Sequence, residues 1–276
     1  MALEPRPAPS HVIALTSEQR VQASASLAAS AVDRRTLVAA VAATRVVLVG
    51  ESHFVEEPIT WLCGLLDELH AAHGRRAVLV LELLRRGGAD IDRYFATGDE
   101  EALGAAFGWG ALPYQRIVRW ARAHPEAVAG VVAADENPWH SGVMRLFLTD
   151  TRNDTMARAV AAAAQTGSAR VVAYGGALHM MKSGRYLYDS DTRRPMGARL
   201  PALGIPVGDT AVVWLFAGDP PGDGAWEQPG AVVLAGKAGD LALAQIEEAR
   251  IFGATRFGDI VDYAVYLGPA TSIANH

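Results

Sequence analysis

The chain has 276 residues, of which 50% are hydrophobic and 20% charged, and its formal net charge is −5 at pH 7. This length and composition are typical of a globular protein with a substantial core, organised as one large domain or two small ones. The acidic balance and the lack of a basic tract argue against a nucleic-acid partner, and no uncharged apolar stretch of about 18 residues predicts a membrane span.

The first part of the chain predicts an arm followed by helices. Residues 1–15 are rich in proline and predict a flexible N-terminal arm, whereas 16–276 are expected to form a single domain. From 16 to 43, Leu and Val recur among Ala and Ser at helical spacing, which predicts one or two helices that begin at Thr16 or Ser17. The N-terminus shows no basic region followed by an apolar run, so we expect a cytoplasmic protein.

The stretch RVVLVGESHFVEE at 45–57 combines an apolar run with a polar turn. Val46–Val49 predicts a buried strand that ends at a glycine. In parallel α/β sheets, ligands bind at the edge where the strands have their carboxyl ends. Glu51 and His53 are therefore the first candidate site residues; the alternative is a surface turn that holds two polar side chains.

A helix and a second strand come next. Apolar positions three and four apart over 58–73 predict an amphipathic helix, and Cys63 within this pattern is interpreted as a packed small hydrophobe. Ala77–Leu81 then predicts a buried strand, which Glu82 follows directly. Because a buried carboxylate needs a partner, we expect Glu82 to point into the same crevice.

Residues 89–124 interrupt the alternation of strand and helix. They look helical and carry six aromatic side chains, namely Tyr94, Phe95, Phe107, Trp109, Tyr114 and Trp120. Two interpretations are open, a helical lid or insertion over the site and a helical hairpin packed on the sheet. Tyr114 is a candidate substrate-binding residue.

The third predicted strand, Val128–Ala134, also ends in polar residues. Asp135, Trp139 and His140 follow it and are candidate substrate-binding residues. A helix is predicted over 149–164.

Arg152 lies in the first turn of that predicted helix. It shares a face with Met156, so its side chain can reach the crevice, where it would offset the repulsion between Glu51 and Glu82. The alternative is a surface arginine paired with a nearby aspartate.

The fourth predicted strand repeats the pattern of the opening stretch. Ala169–Tyr174 ends in two glycines, and His179 follows after a short interval. Two histidines that each follow a strand and a glycine are stronger evidence for a site than one. His179 is therefore a candidate catalytic residue, and Tyr174 a candidate substrate-binding residue.

Further strands are predicted at 210–216, 231–235 and 258–267, the last as an edge strand, whereas 185–203 looks loop-like. The whole pattern predicts an α/β fold with a central, mostly parallel sheet, helices on both faces and a helical insertion over the carboxyl ends of the strands.

Four segments resemble a known superfamily: VVLVGESH, LVLEL, DTRNDTMARAV and VVAYGGALHMMKSG, in this order. They are similar to the superfamily that joins erythromycin-esterase-like enzymes, ChaN-type haem-binding proteins and TraB/Tiki proteins. Its marks are GE-x-H after the first strand, a glutamate ending the second, an Arg-x-x-x-Met helix and G-x-x-H. The resemblance covers residues 44–267 and implies a functional set of Glu51, His53, Glu82, Arg152 and His179.

The first functional interpretation is an enzyme that uses general acid–base chemistry on a small organic substrate, such as a natural product. It would hydrolyse an ester or lactone, or carry out a related elimination or cyclisation, without a required cofactor. His53 or His179 would remove a proton, and Arg152 would stabilise the oxyanion. Since the chain has no G-x-S-x-G motif, water is the expected nucleophile.

Two alternatives involve a bound group. The first is a non-covalent haem-binding protein of the ChaN type, with His179 or Tyr174 as the iron ligand. The second is a metal-dependent hydrolase of the Tiki type, with Glu51, His53 and His179 as candidate ligands of a divalent metal. The sequence does not indicate an oligomeric state.

Overall fold

The computed structural model describes residues 15–53, 55–107, 112–136, 151–167, 169–188, 191–222, 224–246 and 251–273. The α-helices in this part are α1 (Ser17–Ala29), α2 (Arg34–Ala42), α3 (Glu57–His73), α4 (Gly88–Thr97), α5 (Glu100–Phe107), α6 (Leu112–Ala123), α7 (Thr151–Gln165), α8 (Ala177–Met180) and α9 (Phe257–Ile260). The strands are β1 (Ala31–Val32), β2 (Val46–Glu51), β3 (Ala77–Leu84), β4 (Val128–Asp135), β5 (Arg170–Gly176), β6 (Arg185–Tyr188), β7 (Asp191–Arg193), β8 (Thr210–Phe216), β9 (Gly230–Val233), β10 (Ile251–Phe252) and β11 (Tyr263–Tyr266).

The main sheet has eight strands in the order β1-β9-β11-β8-β2-β5-β3-β4. The six strands from β11 to β4 are parallel. At one side β9 pairs antiparallel with β11, and β1 pairs antiparallel with β9. Every residue of the inner strand β2 is buried, as its continuous apolar sequence predicts for a parallel strand covered on both faces. The predicted α/β fold with a mostly parallel sheet is confirmed.

Alternate side chains of β2 belong to two apolar clusters, one on each face of the sheet. Val47 and Val49 lie in the cluster that contains the buried residues of α2 and α3. Val46 and Leu48 lie in the second cluster, with the buried residues of α1 and α7. This alternation follows from the two-residue period of a strand, and it explains why helices cover both faces.

The segment between β3 and β4 consists of the three helices α4, α5 and α6. Their buried residues, among them Ile91, Leu103 and Ile117, belong to the same apolar cluster as α3. The helices therefore pack on one face of the sheet. Trp109 lies outside the described residues.

Predicted and observed elements differ in two regions. The strand β11 was predicted at an edge but lies between β8 and β9, because β9 returns antiparallel on its other side. The 185–203 region, predicted as a loop, contains β6 and β7, which form a three-stranded sheet with β10, and a 3-10 helix over Gly197–Leu203. The alternating sequence Arg185–Tyr188 buries Tyr186, and this burial orders the segment.

The predicted start of the N-terminal helix is confirmed. The Thr16 hydroxyl accepts a hydrogen bond from the Gln19 amide, and the Gln19 side chain accepts one from the Thr16 amide. Such a capping box satisfies two amides that a helix start leaves unpaired. The 16–43 region forms two helices with β1 between them, and residues 1–14 lie outside the described part. No helix among the described residues is long and apolar enough to cross a membrane.

Candidate active site

Four neighbouring strands have their carboxyl ends at one edge of the sheet, in the order β2, β5, β3 and β4. Glu51, the last residue of β2, is in register with Gly176, the last residue of β5. Glu82 lies near the end of β3, and Asp135 ends β4. Parallel strands about 4.8 Å apart thus bring these acidic residues together from distant parts of the sequence.

Glu51 and His53 form a hydrogen-bonded pair at this edge. Glu51 Oε1 lies 2.7 Å from His53 Nδ1, and the Glu51 side chain is buried whereas that of His53 is 42% exposed. Because a carboxylate only accepts hydrogen bonds, Nδ1 carries a proton and the lone pair of the neutral ring is on Nε2. Burial acts to lower the pKa of His53, but the bond to Glu51 and the negative charges of Glu82 and Glu51 outweigh it and raise this pKa.

Glu82 is a buried carboxylate with three polar neighbours, two of which donate hydrogen bonds to it. The amide of Gly176 donates to Oε2 at 2.6 Å, Arg152 Nη2 donates to Oε1, and His179 Nε2 lies 3.4 Å from Oε1. Burial acts to raise the pKa of Glu82, but the charge of Arg152 and the hydrogen bond from the Gly176 amide oppose it, and this pKa lies below its usual value. Glu82 is therefore ionised at neutral pH.

The two glycines that end β5 leave the space that Glu82 and His53 occupy. A Cβ on Gly175 would lie 2.5 Å from Glu82 Oε2, and one on Gly176 would lie 3.0 Å from His53 Nε2. A contact of 2.5 Å is too short for any side chain to tolerate without a shift. The glycine pair of the VVAYGG motif therefore allows the close approach of site side chains to the backbone.

Arg152, in the first turn of α7, bridges two carboxylates. Its Nε and Nη2 donate to Asp135 at 2.7 and 2.9 Å, and Nη2 also donates to Glu82. The Arg152 side chain is 19% exposed, so it lies in the crevice and not on the surface. Contrary to expectation, it pairs Glu82 with Asp135, whereas Glu51 pairs with His53.

Asp135 therefore positions the arginine and does not face open solvent. Its side chain is buried, and burial raises its pKa although the Arg152 guanidinium opposes this effect. The bidentate geometry holds the guanidinium plane in one orientation. Within the described residues, no acceptor binds Arg152 Nη1.

His179 lies on α8 directly after β5 and is buried. Its Nδ1 lies 2.6 Å from the side-chain oxygen of Asn153, whose amide nitrogen donates to the Arg194 carbonyl and to Tyr186 Oη. The carbonyl can only accept, so this contact sets the orientation of the Asn153 amide. Nδ1 therefore carries the proton of the neutral ring. Burial lowers the pKa of His179 to about 4, so the ring is neutral at pH 7 with its lone pair on Nε2.

Two of the predicted substrate-binding tyrosines pack against each other beneath the site. Tyr174 is 1% exposed, and its ring meets that of Tyr114 edge to face, with centroids 5.8 Å apart. The Tyr114 hydroxyl is buried and has no hydrogen-bond partner among the described residues. Burial and the charges of Glu82 and Glu51 raise the pKa of Tyr114 well above its usual value. Trp139 and His140 lie outside the described residues.

The structure thus brings together Glu51, His53, Glu82, Arg152 and His179, and their catalytic roles stay predictions. Sequence reasoning missed Asn153 and Tyr186, which hold His179, and the Gly176 amide, which binds Glu82. Asn153 directly follows Arg152, and its position in the first turn of the helix was the available signal. Tyr186 was missed because its strand was interpreted as a loop.

Comparisons with known proteins agree with the superfamily that the motifs resemble. Residues 37–137 match the family model described as "Haem-binding uptake, Tiki superfamily, ChaN". The resemblance is confirmed. No curated protein sequence matches this chain.

Solved structures show the same fold at low sequence identity. A succinoglycan biosynthesis protein has a TM-score of 0.67 at 10% identity, covering 95% of this chain and 100% of its own. A mutant of the erythromycin esterase EreC in its open conformation has a TM-score of 0.61 at 12% identity, and the match covers 87% of this chain and 94% of that structure. The haem-binding ChaN of Campylobacter jejuni has a TM-score of 0.51 at 11% identity, and the match covers 87% of this chain and 93% of that structure.

The described residues do not fit a haem or a metal ion well. Tyr174 is almost fully buried, and the Nε2 atom of His179 faces the Glu82 carboxylate, so neither candidate ligand presents an atom to a haem iron. Within the described ranges, no group of three or more His, Cys, Asp or Glu side chains could hold a metal ion.

Proposed function

We propose that this chain is an enzyme that hydrolyses an ester or lactone of a small organic molecule, with His53 as the general base. The observation that carries the proposal is the Glu51–His53 pair. A buried carboxylate binds Nδ1 at 2.7 Å, while 42% of the histidine side chain is exposed. A carboxylate in this position sets the tautomer and raises the basicity of the ring.

The proton assignments of the two histidines separate their roles. The pKa of His53 is raised, so its ring is a stronger base than a free imidazole. The pKa of His179 is lowered to about 4, and its side chain is buried. His53 therefore exchanges protons with the substrate, whereas His179 is buried and neutral and does not.

The reaction follows from these positions. Nε2 of His53 takes a proton from water while the water oxygen attacks the carbonyl carbon, and the carbonyl oxygen becomes negative. Nη1 of Arg152 donates a hydrogen bond to this oxyanion. When the carbonyl re-forms, the bond to the alcohol oxygen breaks and His53 returns the proton to that oxygen. In a related elimination or cyclisation, the same base would remove a proton from the substrate itself.

The structural likeness to a protein named as an erythromycin esterase agrees with ester chemistry, although at 12% identity it shows the fold alone. The charge distribution gives independent support. Glu82, Asp135 and Arg152 form a buried cluster of charged groups. Burying charges is costly for stability, and clusters of this kind are more common at functional sites than elsewhere.

The test is hydrolysis of p-nitrophenyl acetate, p-nitrophenyl butyrate, γ-butyrolactone and a macrocyclic lactone. We expect turnover of at least one probe, and His53→Ala should lower it by about 10²-fold with an unchanged circular dichroism spectrum. His73→Ala, at the exposed end of α3, is the control and should keep full activity. Wild-type protein that hydrolyses none of the probes, or full activity of His53→Ala, would refute the proposal.

A further inference from the structure

A second polar cavity lies at the opposite edge of the sheet, where the parallel strands begin. Its volume is about 440 Å³, and its lining includes Arg45 before β2, Arg75 before β3 and Arg170 at the start of β5. Arg170 is in register with Ala77, the first residue of β3, so the three arginines come from adjacent strands. This cavity is separate from the crevice that contains Glu51 and His53, which lies at the carboxyl ends of the same strands.

Arg170 is the residue that a purely structural role leaves unexplained. It is 6% exposed, and its Nε and Nη2 donate to the Thr44 and Ala42 carbonyls at the end of α2. Its third nitrogen, Nη1, is buried and has no hydrogen-bond partner among the described residues. Leaving a buried charged donor unpaired costs more than a neutral one, so native proteins rarely do so without a ligand.

The charges around Arg170 increase this demand for an anion. Arg45 uses Nη2 to bind the Ala164 carbonyl near the end of α7, and Arg75 has no hydrogen bond or ion pair within the described part of the chain. Among the residues that line the cavity, Asp209 carries the only carboxylate. Three guanidinium groups and one carboxylate give the side chains that line the cavity an excess of two positive charges. Burial and the neighbouring charge of Arg75 both lower the pKa of Arg170.

We propose that this cavity binds the dianionic phosphate group of a small molecule. Two excess positive charges match a phosphate dianion, and planar guanidinium groups bind phosphate oxygens through paired hydrogen bonds. A cavity of about 440 Å³ lies in the size range of small-molecule sites and has room for more than the phosphate group. Capping of α2 and α7 explains why Arg170 and Arg45 bind carbonyls. It does not explain why Nη1 of Arg170 is buried without a partner, or why Arg75 lines the same cavity.

The experiment is calorimetric titration of the full chain with inorganic phosphate, AMP and adenosine, with chloride keeping the ionic strength constant. We expect saturable binding of phosphate and AMP and none of adenosine. Tighter binding of AMP than of phosphate would identify a phosphate ester as the preferred form, whereas tighter binding of phosphate would identify the free ion. The readout does not depend on hydrolysis, so the proposed function and this site can fail separately.

Variants of two adjacent arginines complete the test. Arg75→Ala removes an exposed side chain that lines the cavity and should weaken binding about tenfold, because one charge-assisted contact is lost. Arg76→Ala removes a second exposed arginine that does not line the cavity, and this variant should bind like the wild type. The absence of saturable binding of phosphate and AMP, or identical binding by the Arg75 and Arg76 variants, would overturn the proposal.

Discussion

Replacement of Arg152 by methionine would leave two buried carboxylates without their cation. Methionine replaces the aliphatic part of the arginine side chain and cannot donate a hydrogen bond, so the substitution removes the charge and keeps the packing of that part. Glu82 and Asp135, with side chains only 4% and 5% exposed, would then face each other across an apolar side chain.

The size of the effect follows from the contacts. Arg152 makes three charge-assisted hydrogen bonds, two to Asp135 and one to Glu82. Such bonds contribute about 1.5–3 kcal/mol each, but bonds that share one guanidinium are not additive. Removing one partner of a buried ion pair costs about 3–5 kcal/mol. We therefore expect Arg152→Met to lower the free energy of unfolding by about 3–5 kcal/mol near pH 7.

The assay is equilibrium unfolding in urea, followed by tryptophan fluorescence and circular dichroism. Arg158→Met is the matched control, because Arg158 lies on the same helix, is 69% exposed and pairs with Asp154. An exposed pair of this kind contributes at most about 0.5 kcal/mol. A loss below about 1 kcal/mol for Arg152→Met, or one equal to that of the control, would refute the view that Arg152 holds the cluster together.

The pH dependence has a defined sign. In the wild type the pKa of Glu82 is lowered, so its stabilisation is present above the pKa of an unfolded glutamate and is lost as pH falls through the folded value. In Arg152→Met, burial without the cation raises the pKa values of Glu82 and Asp135, and both can then bind protons while folded. The deficit of the variant should therefore shrink between about pH 7 and pH 5. A deficit that grows on acidification would contradict this reasoning.

Two further substitutions test the geometry of the site. Glu51→Gln removes a charge that raises the pKa of His53, so this pKa should fall in an NMR titration. Any activity that needs the neutral ring should then extend to lower pH. An unchanged pKa of His53 would argue against the Glu51–His53 interaction. Gly175→Ala places a Cβ 2.5 Å from Glu82 Oε2 and should lower the free energy of unfolding in urea by about 1–3 kcal/mol. The control is Gly130→Ala on β4, whose added Cβ meets no atom within 4 Å. Equal stability of the two variants would show that Glu82 can move aside freely.

The sequence alone was sufficient to predict the strands that carry the site. Continuous apolar runs are required wherever a parallel strand is covered on both faces, so β2, β3, β4 and β5 could each be recognised. Polar residues that directly follow such runs lie at the edge of the sheet, where the strand leaves the core. Glu51, Glu82 and Asp135 could be placed there for this reason.

The tertiary structure alone decided which of these groups pair. The order of the strands depends on how the crossover helices pack, and no local pattern specifies that β5 lies between β2 and β3. This order places the Gly176 amide against Glu82 and lets Arg152 bind Glu82 and Asp135.

The state of His179 depends in the same way on contacts between distant segments. Its neutral ring and its tautomer result from burial beside Asn153 and Tyr186, which belong to a different helix and to a strand that the sequence did not reveal. A single sequence shows which residues are polar and where strands end. Hydrogen-bond partners and desolvation arise only when the chain is packed, and they determine the protonation of the site.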